Sequence, residues 1–229
     1  MTPDPWAIEA SGLGRRYGRR WALADVSLAV RRGVRLMVTG RNGSGKSTLL
    51  RVLATAARAD RGTARVAGYD IRAARDDVRR RVALLDHRSG LYDALSAREN
   101  LHVSATFLGA EAARRVPGLL CTVGLAERAD DPVSAYSAGM RKRLSLARAL
   151  LQEAEVYLLD EPYGELDPPG FRLLDAALDD LKEKGATVLL ASHLLERGRE
   201  RCDEAIVLDE GRLAWSGPAA DLREAGAPA

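Results

Sequence analysis

Short apolar runs ending in polar residues recur along this chain, and between them the apolar positions change period. Val34-Arg-Leu-Met-Val-Thr39, Val156-Tyr-Leu-Leu-Asp160 and Thr187-Val-Leu-Leu-Ala191 have the length and flanks of buried strands. Val82–Leu85 and Ala205–Leu208 read the same way. By contrast, Glu99–Leu108 and Leu119–Val123 repeat apolar residues at three- and four-residue spacings, which predicts helices with one buried face. The order predicts an α/β chain in which residues 1–86 and 153–229 share one core and residues 87–152 form a helical insertion. Residues 218–229 read as a short helix and a frayed tail. No internal repeat is visible, so a single such unit is expected.

Composition narrows the picture without naming a reaction. A chain of 229 residues with 46% hydrophobic residues can build one large core or two closely packed ones. The net charge of +3 comes from short arginine clusters at Arg15-Arg16, Arg19-Arg20 and Arg79–Arg81, and only 5% of residues are aromatic. Too few rings stand beside those arginines to stack on bases, so no nucleic-acid partner is expected. No run approaches the roughly 18 apolar residues of a membrane span, and Met1–Pro5 lacks the features of a signal peptide. A cytoplasmic, peripheral location is expected. Cys121 and Cys202 stand far apart with no C-x-x-C pattern, and are expected to be small buried hydrophobes rather than a disulfide or metal site.

The chemistry lies at the ends of the apolar runs. After Thr39 the chain reads Gly40, Arg41, Asn42, Gly43, Ser44, Gly45, Lys46, Ser47, Thr48, then the apolar-rich Leu49–Leu53. Strand, glycine-rich loop and helix in that order form a phosphate loop: the glycines let successive N–H groups converge, and the helix adds its positive end. Lys46 is placed to reach the β and γ phosphates of ATP, and Ser47 to offer its hydroxyl to Mg²⁺. The second run ends in Asp160 and Glu161, which alternation along a strand sends to different sides. Asp160 then serves the metal, and Glu161 faces the γ phosphate as the group that activates water. The third run ends in Ser192 and His193, with the imidazole placed to hold the γ phosphate, the water and Glu161 in register. Strand ends delivering polar groups to one edge are the ligand-binding arrangement of open α/β sheets.

The order Tyr17, Gly40 to Thr48, Tyr136-Ser137-Ala138-Gly139-Met140, Leu158 to Pro162, Leu166-Asp167 and His193 resembles an ATP-binding-cassette (ABC) ATPase over nearly the whole chain. The resemblance implies a P-loop NTPase fold: a RecA-like core with a mixed sheet, an antiparallel β subdomain and an inserted α-helical subdomain. It also implies a head-to-tail dimer in which ATP on one phosphate loop is closed over by Ser137 and Gly139 of the other chain. Tyr17 would stack on adenine, and Asp167 would lie beside the partner's phosphate loop. Ser137 also reads as a plain helix N-cap. Ala138 replaces a glycine of the family pattern, and Glu165 replaces a small residue.

His87 stands where most of the family has a glutamine that contacts Mg²⁺ or the water. That histidine, with Leu91-Tyr92-Asp-Ala-Leu95 and Glu99-Asn100-Leu101, is similar to the ATPase of the haem exporter of cytochrome c maturation. Related drug and lipid exporters share much of this segment. Under any exporter reading the cargo is chosen by integral membrane permease subunits, whose cytoplasmic helices would seat on residues 90–108. ATP and Mg²⁺ are the implied cofactors, and the inner face of the cell membrane is the implied location. A soluble cassette ATPase serving a scaffold such as iron–sulfur assembly is the alternative.

Overall fold

The computed structural model describes residues 4–87 and 89–223. The expected tail therefore lies outside the described residues from position 224, and its start is a 3₁₀ turn at Ala219–Asp221. Two sheets organise the chain. The first is antiparallel, in the order β2 (Arg20–Arg31), β1 (Trp6–Tyr17), β4 (Arg61–Val66), β5 (Tyr69–Asp70). The second runs β10 (Arg212–Pro218), β9 (Glu204–Asp209), β3 (Arg35–Thr39), β8 (Thr187–Ala191), β7 (Val156–Asp160), β6 (Val82–Leu85). All its pairings are parallel except β10 with β9.

The central strands are buried on both faces, which is why they read as unbroken apolar runs. Leu158 and Leu189 face a core shared with Leu49, Leu50 and Leu53 of α1 (Lys46–Leu53), which lies against strands of both sheets. Tyr157, Leu159, Val188 and Leu190 face the other way, onto Leu174, Leu178 and Leu181 of α6 (Pro168–Glu183). Between them, α2 (Arg75–Arg81) leads into β6.

A separate apolar cluster holds α3 (Ala97–Leu108), α4 (Ala110–Thr122) and α5 (Ala138–Leu151) together through Leu101, Val116, Leu120 and Leu144. Its entry is fixed by a capping box: Ser96 accepts from the Glu99 N–H and the Glu99 carboxylate accepts from the Ser96 N–H. The chain returns through α7 (Leu195–Arg201) to β9. Cys202 packs against apolar side chains, and burial pushes its thiol up to about 12. Cys121 departs from expectation: it is exposed on α4, at a helix position facing away from the cluster. No helix among the described residues is long and apolar enough to cross a membrane.

Candidate functional site

The phosphate loop hangs between β3 and α1, and its shape is imposed from both sheets. A Cβ on Gly40 would run into the carbonyl oxygen of Leu208 on β9, and one on Gly45 into that of Ala22 on β2. Both residues also hold positive φ, 138° and 111°, so glycine is required for space as well as conformation. Among the described residues, the N–H groups of Gly43, Gly45, Lys46, Ser47 and Thr48 find no acceptor within the chain. They form a nest of unspent donors at the start of a helix, which favours an anion. Lys46 is buried, and its Nζ donates to the carbonyls of Gly40 at 2.7 Å and Arg41 at 3.2 Å, leaving its third proton for a phosphate.

Asp160 and Glu161 do part company, though not through strand alternation. β7 stops at Asp160, and Glu161 takes φ 43°, a left-handed turn that an alternating strand does not contain. Its N–H still donates to Ala191 on β8 at 2.8 Å, which keeps the two strand ends together. The Glu161 carboxylate then meets the β8 end: Oε2 lies 3.0 Å from His193 Nδ1 and accepts from Ser192 Oγ at 3.4 Å. In the tautomer that carries its proton on Nδ1, His193 donates to Glu161 and leaves Nε2 as an acceptor. His193 does not cap α7; that helix begins after Leu194.

Asp160 is 2% exposed, and burial pushes its carboxyl up, with the Ser47 hydroxyl opposing. Its Oδ1 is buried and has no hydrogen-bond partner among the described residues. A buried carboxylate oxygen without a donor, beside a serine hydroxyl and next to a nest of N–H groups, fits a hard divalent cation that Asp160 and Ser47 would hold.

A cavity of ≈ 900 Å³ opens in front of these groups, lined by Gly40, Arg41 and Asn42 of the loop, by Asp86 and His87, by Glu161 and His193, and by Ala138 and Lys142 of α5. It brings His87 into the same space as the catalytic candidates. Ser137 and Gly139 are not part of its lining. Ser137 is exposed and its Oγ accepts from the Met140 N–H at 3.2 Å, so the cap is real. Gly139 lies against its own chain's Glu165 carbonyl, where a Cβ would come within 2.9 Å. Asp167 is exposed and caps α6 through the Gly170 N–H at 2.9 Å. Tyr17 ends β1, 48% exposed, with the Arg15 guanidinium 4.6 Å over its ring. The guanidinium of its hairpin partner Arg20 reaches Gly43 of the loop.

Sequence reasoning missed Lys142. It sits in the run Arg141–Arg143, which reads as a solvated face, yet its Nζ donates to the Asp160 carbonyl at 3.3 Å. Burial lowers its ammonium, against the pull of Glu165, Asp160, Glu161 and Asp86. One cation from α5 thus sits among the carboxylates of Glu165, Asp160, Glu161 and Asp86.

Residues 23–164 match the family model described as ABC transporter. Among curated proteins, a daunorubicin resistance ATP-binding protein of Streptomyces coeruleorubidus is 40% identical over 95% of this chain and 70% of its own length. A Nod factor export ATP-binding protein I of Ralstonia nicotianae is 36% identical over 94% of this chain and 68% of its own. A methionine import ATP-binding protein of Brucella abortus is 36% identical over 92% of this chain and 59% of its own. The solved structure of an ATP binding subunit of an ABC transporter superposes with TM-score 0.87 at 31% identity, covering 94% of this chain and 91% of that one. A bacterial ABC transporter cassette in dimeric form superposes with TM-score 0.86 at 25% identity, covering 93% and 98%.

Proposed function

Because the chain belongs to the ABC transporter family as its ATP-binding, ATP-hydrolysing subunit, we propose that it works as a head-to-tail pair driving export of an organic molecule through separate membrane subunits. In this reading the nest and Lys46 hold the phosphates, and Tyr17 stacks on adenine. Glu161, held by His193, takes the proton of the attacking water. Ser47 and Asp160 would hold Mg²⁺, with His87 reaching it or its water; when bound, the ion neutralises charge on the β and γ phosphates. Ser137, Gly139 and Asp167 are exposed or near the surface, as contacts to a second chain require. Residues 87–152 are the unit that moves with the membrane subunits, at the inner face of the membrane.

One observation carries the coupling to a membrane partner. Of the four exposed large apolar residues among those described, Tyr92, Phe107 and Leu108 all fall within 90–108, with Phe107 86% exposed. Export of a drug-like or lipid-like molecule is favoured by the daunorubicin and Nod factor relatives. Haem export is the second reading, and it rests on His87 and residues 91–101 alone.

The test is transport by inside-out vesicles carrying the chain with its membrane subunits. ATP-dependent uptake of daunorubicin supports the first reading, and uptake of haem with no daunorubicin replaces it with the second. Phe107→Glu is expected to abolish uptake and co-purification while leaving the ATPase rate of the isolated chain unchanged. Retained uptake would remove this face from the coupling.

A further inference from the structure

Behind the Glu161–His193 pair lies a polar cluster, centred on the buried Tyr163 and Asp175, for which the reaction has no direct use. Tyr163, 1% exposed, donates its hydroxyl to Asp175 Oδ1 at 2.6 Å. The other oxygen of Asp175 receives Arg197 Nη1 at 3.0 Å and lies 3.2 Å from Arg201 Nη2. Arg201 continues to Asp179, which also takes Arg35 from β3. Phe171 packs edge-on to Tyr163 at 5.3 Å, and the Arg197 guanidinium lies 5.4 Å from the Phe171 ring.

The cluster joins two particular segments. Tyr163 is two residues beyond Glu161, whose left-handed φ needs surrounding structure to hold it. Arg197 and Arg201 lie on α7, a helix of seven residues that starts just after His193. So short a helix has little stability of its own and takes its position from what it packs against. A single carboxylate on α6 therefore grips the segment carrying Glu161 with one oxygen and the segment carrying His193 with the other. In front of it, those two side chains meet at 3.0 Å.

We infer that Asp175, with Tyr163 and Arg197 as its two arms, is a positioning element that sets the register of Glu161 against His193. This rests on the reading of Glu161 as the group that activates water, and goes beyond it by naming what holds that group in place. With Tyr163 on one oxygen of a buried Asp175 carboxylate and Arg197 on the other, the contacts favour one geometry, and loss of one arm frees that segment to shift. A small displacement of a reacting group is costly in rate even when the substrate still binds.

The experiment is a double-mutant cycle on the full chain, using Tyr163→Phe, Glu161→Gln and the pair, with kcat and KM for ATP measured in Mg²⁺. Tyr163→Phe is expected to lower kcat by roughly tenfold, with KM within about twofold of the parent. In the Glu161→Gln background it is expected to cause no further loss, because the group it positions is already gone. The same fold-loss in both backgrounds, or none in the parent, overturns the inference. A parental rate in Glu161→Gln alone overturns the underlying assignment instead. Should Tyr163→Phe not yield folded protein, Arg197→Gln approaches the same carboxylate from α7, and the same absence of additivity is required of it.

Discussion

Replacing Asp160 by asparagine should make the nucleotide-free chain more stable while removing its response to Mg²⁺ and ATP. The carboxylate is 2% exposed and its Oδ1 has no hydrogen-bond donor among the described residues. An unsatisfied buried polar atom costs about 1–3 kcal/mol, and more when charged. The Ser47 hydroxyl and the Lys142 ammonium offset part of that. A net gain of about 1–2 kcal/mol is expected for the neutral isostere, which at this chain length raises Tm by about 2–8 °C. Burial lifts the Asp160 carboxyl above its unfolded value, so its penalty falls on the charged form. The penalty is absent below the ordinary carboxylate range and develops as pH rises through the raised folded value. The gain from Asp160→Asn should therefore be largest at neutral pH and vanish in acid. Thermal denaturation at neutral and acid pH, with and without Mg²⁺ and ATP, reads this out. Ligand should raise Tm in the parent and much less in the variant. A variant less stable than the parent without ligand would show that the Asp160 charge is not a burden on the empty chain, and an undiminished ligand shift would show that it does not serve the metal.

Three further outcomes follow from the geometry. Gly45→Ala pushes a methyl group into the Ala22 carbonyl, so ATP binding is expected to be lost together with about 1–3 kcal/mol of stability, checked by fluorescent-nucleotide titration and chemical denaturation. Ser96→Ala removes one half of the capping box on α3 and should cost about 1 kcal/mol by the same denaturation, without changing the KM for ATP. Ser137→Ala removes the α5 cap at a similar cost of about 1 kcal/mol. If Ser137 also closes over a partner's ATP, turnover should fall well beyond what that loss explains, whereas Ser137→Ala with parental turnover would leave only the cap.

The parallel strands and the phosphate loop were legible because burial on both faces writes an apolar run, and because a loop squeezed between Leu208 and Ala22 has to spell glycine. The antiparallel sheet was visible only through the resemblance. Its β1–β2 ladder is interrupted by register shifts around Gly12 to Arg16, and Asp25 sits at φ 70°, so no clean alternation survives in the sequence. Glu161 was found for a reason the structure replaces: period-two reasoning cannot see a left-handed residue just past a strand end. Lys142 looked like one more cation on a basic helix, since what distinguishes it is the carbonyl of a residue 18 positions away. The Asp175 cluster is illegible for the same reason, its arms reaching 12 residues back to Tyr163 and 22 forward to Arg197. The His193 position was readable from its place after β8, but its contact with Glu161 spans 32 residues and needed the fold.

In the proposed cycle ATP is closed between the phosphate loop of one chain and the Ser137 turn of another, and Glu161 then permits its hydrolysis. The most direct measurement is the solution mass of the Glu161→Gln chain by light scattering, with and without ATP and Mg²⁺. The expected mass is that of one chain without nucleotide and of two with it, returning to one when Ser137→Ala is added. A mass that stays at one chain under saturating ATP, in a variant that binds nucleotide normally, would contradict it.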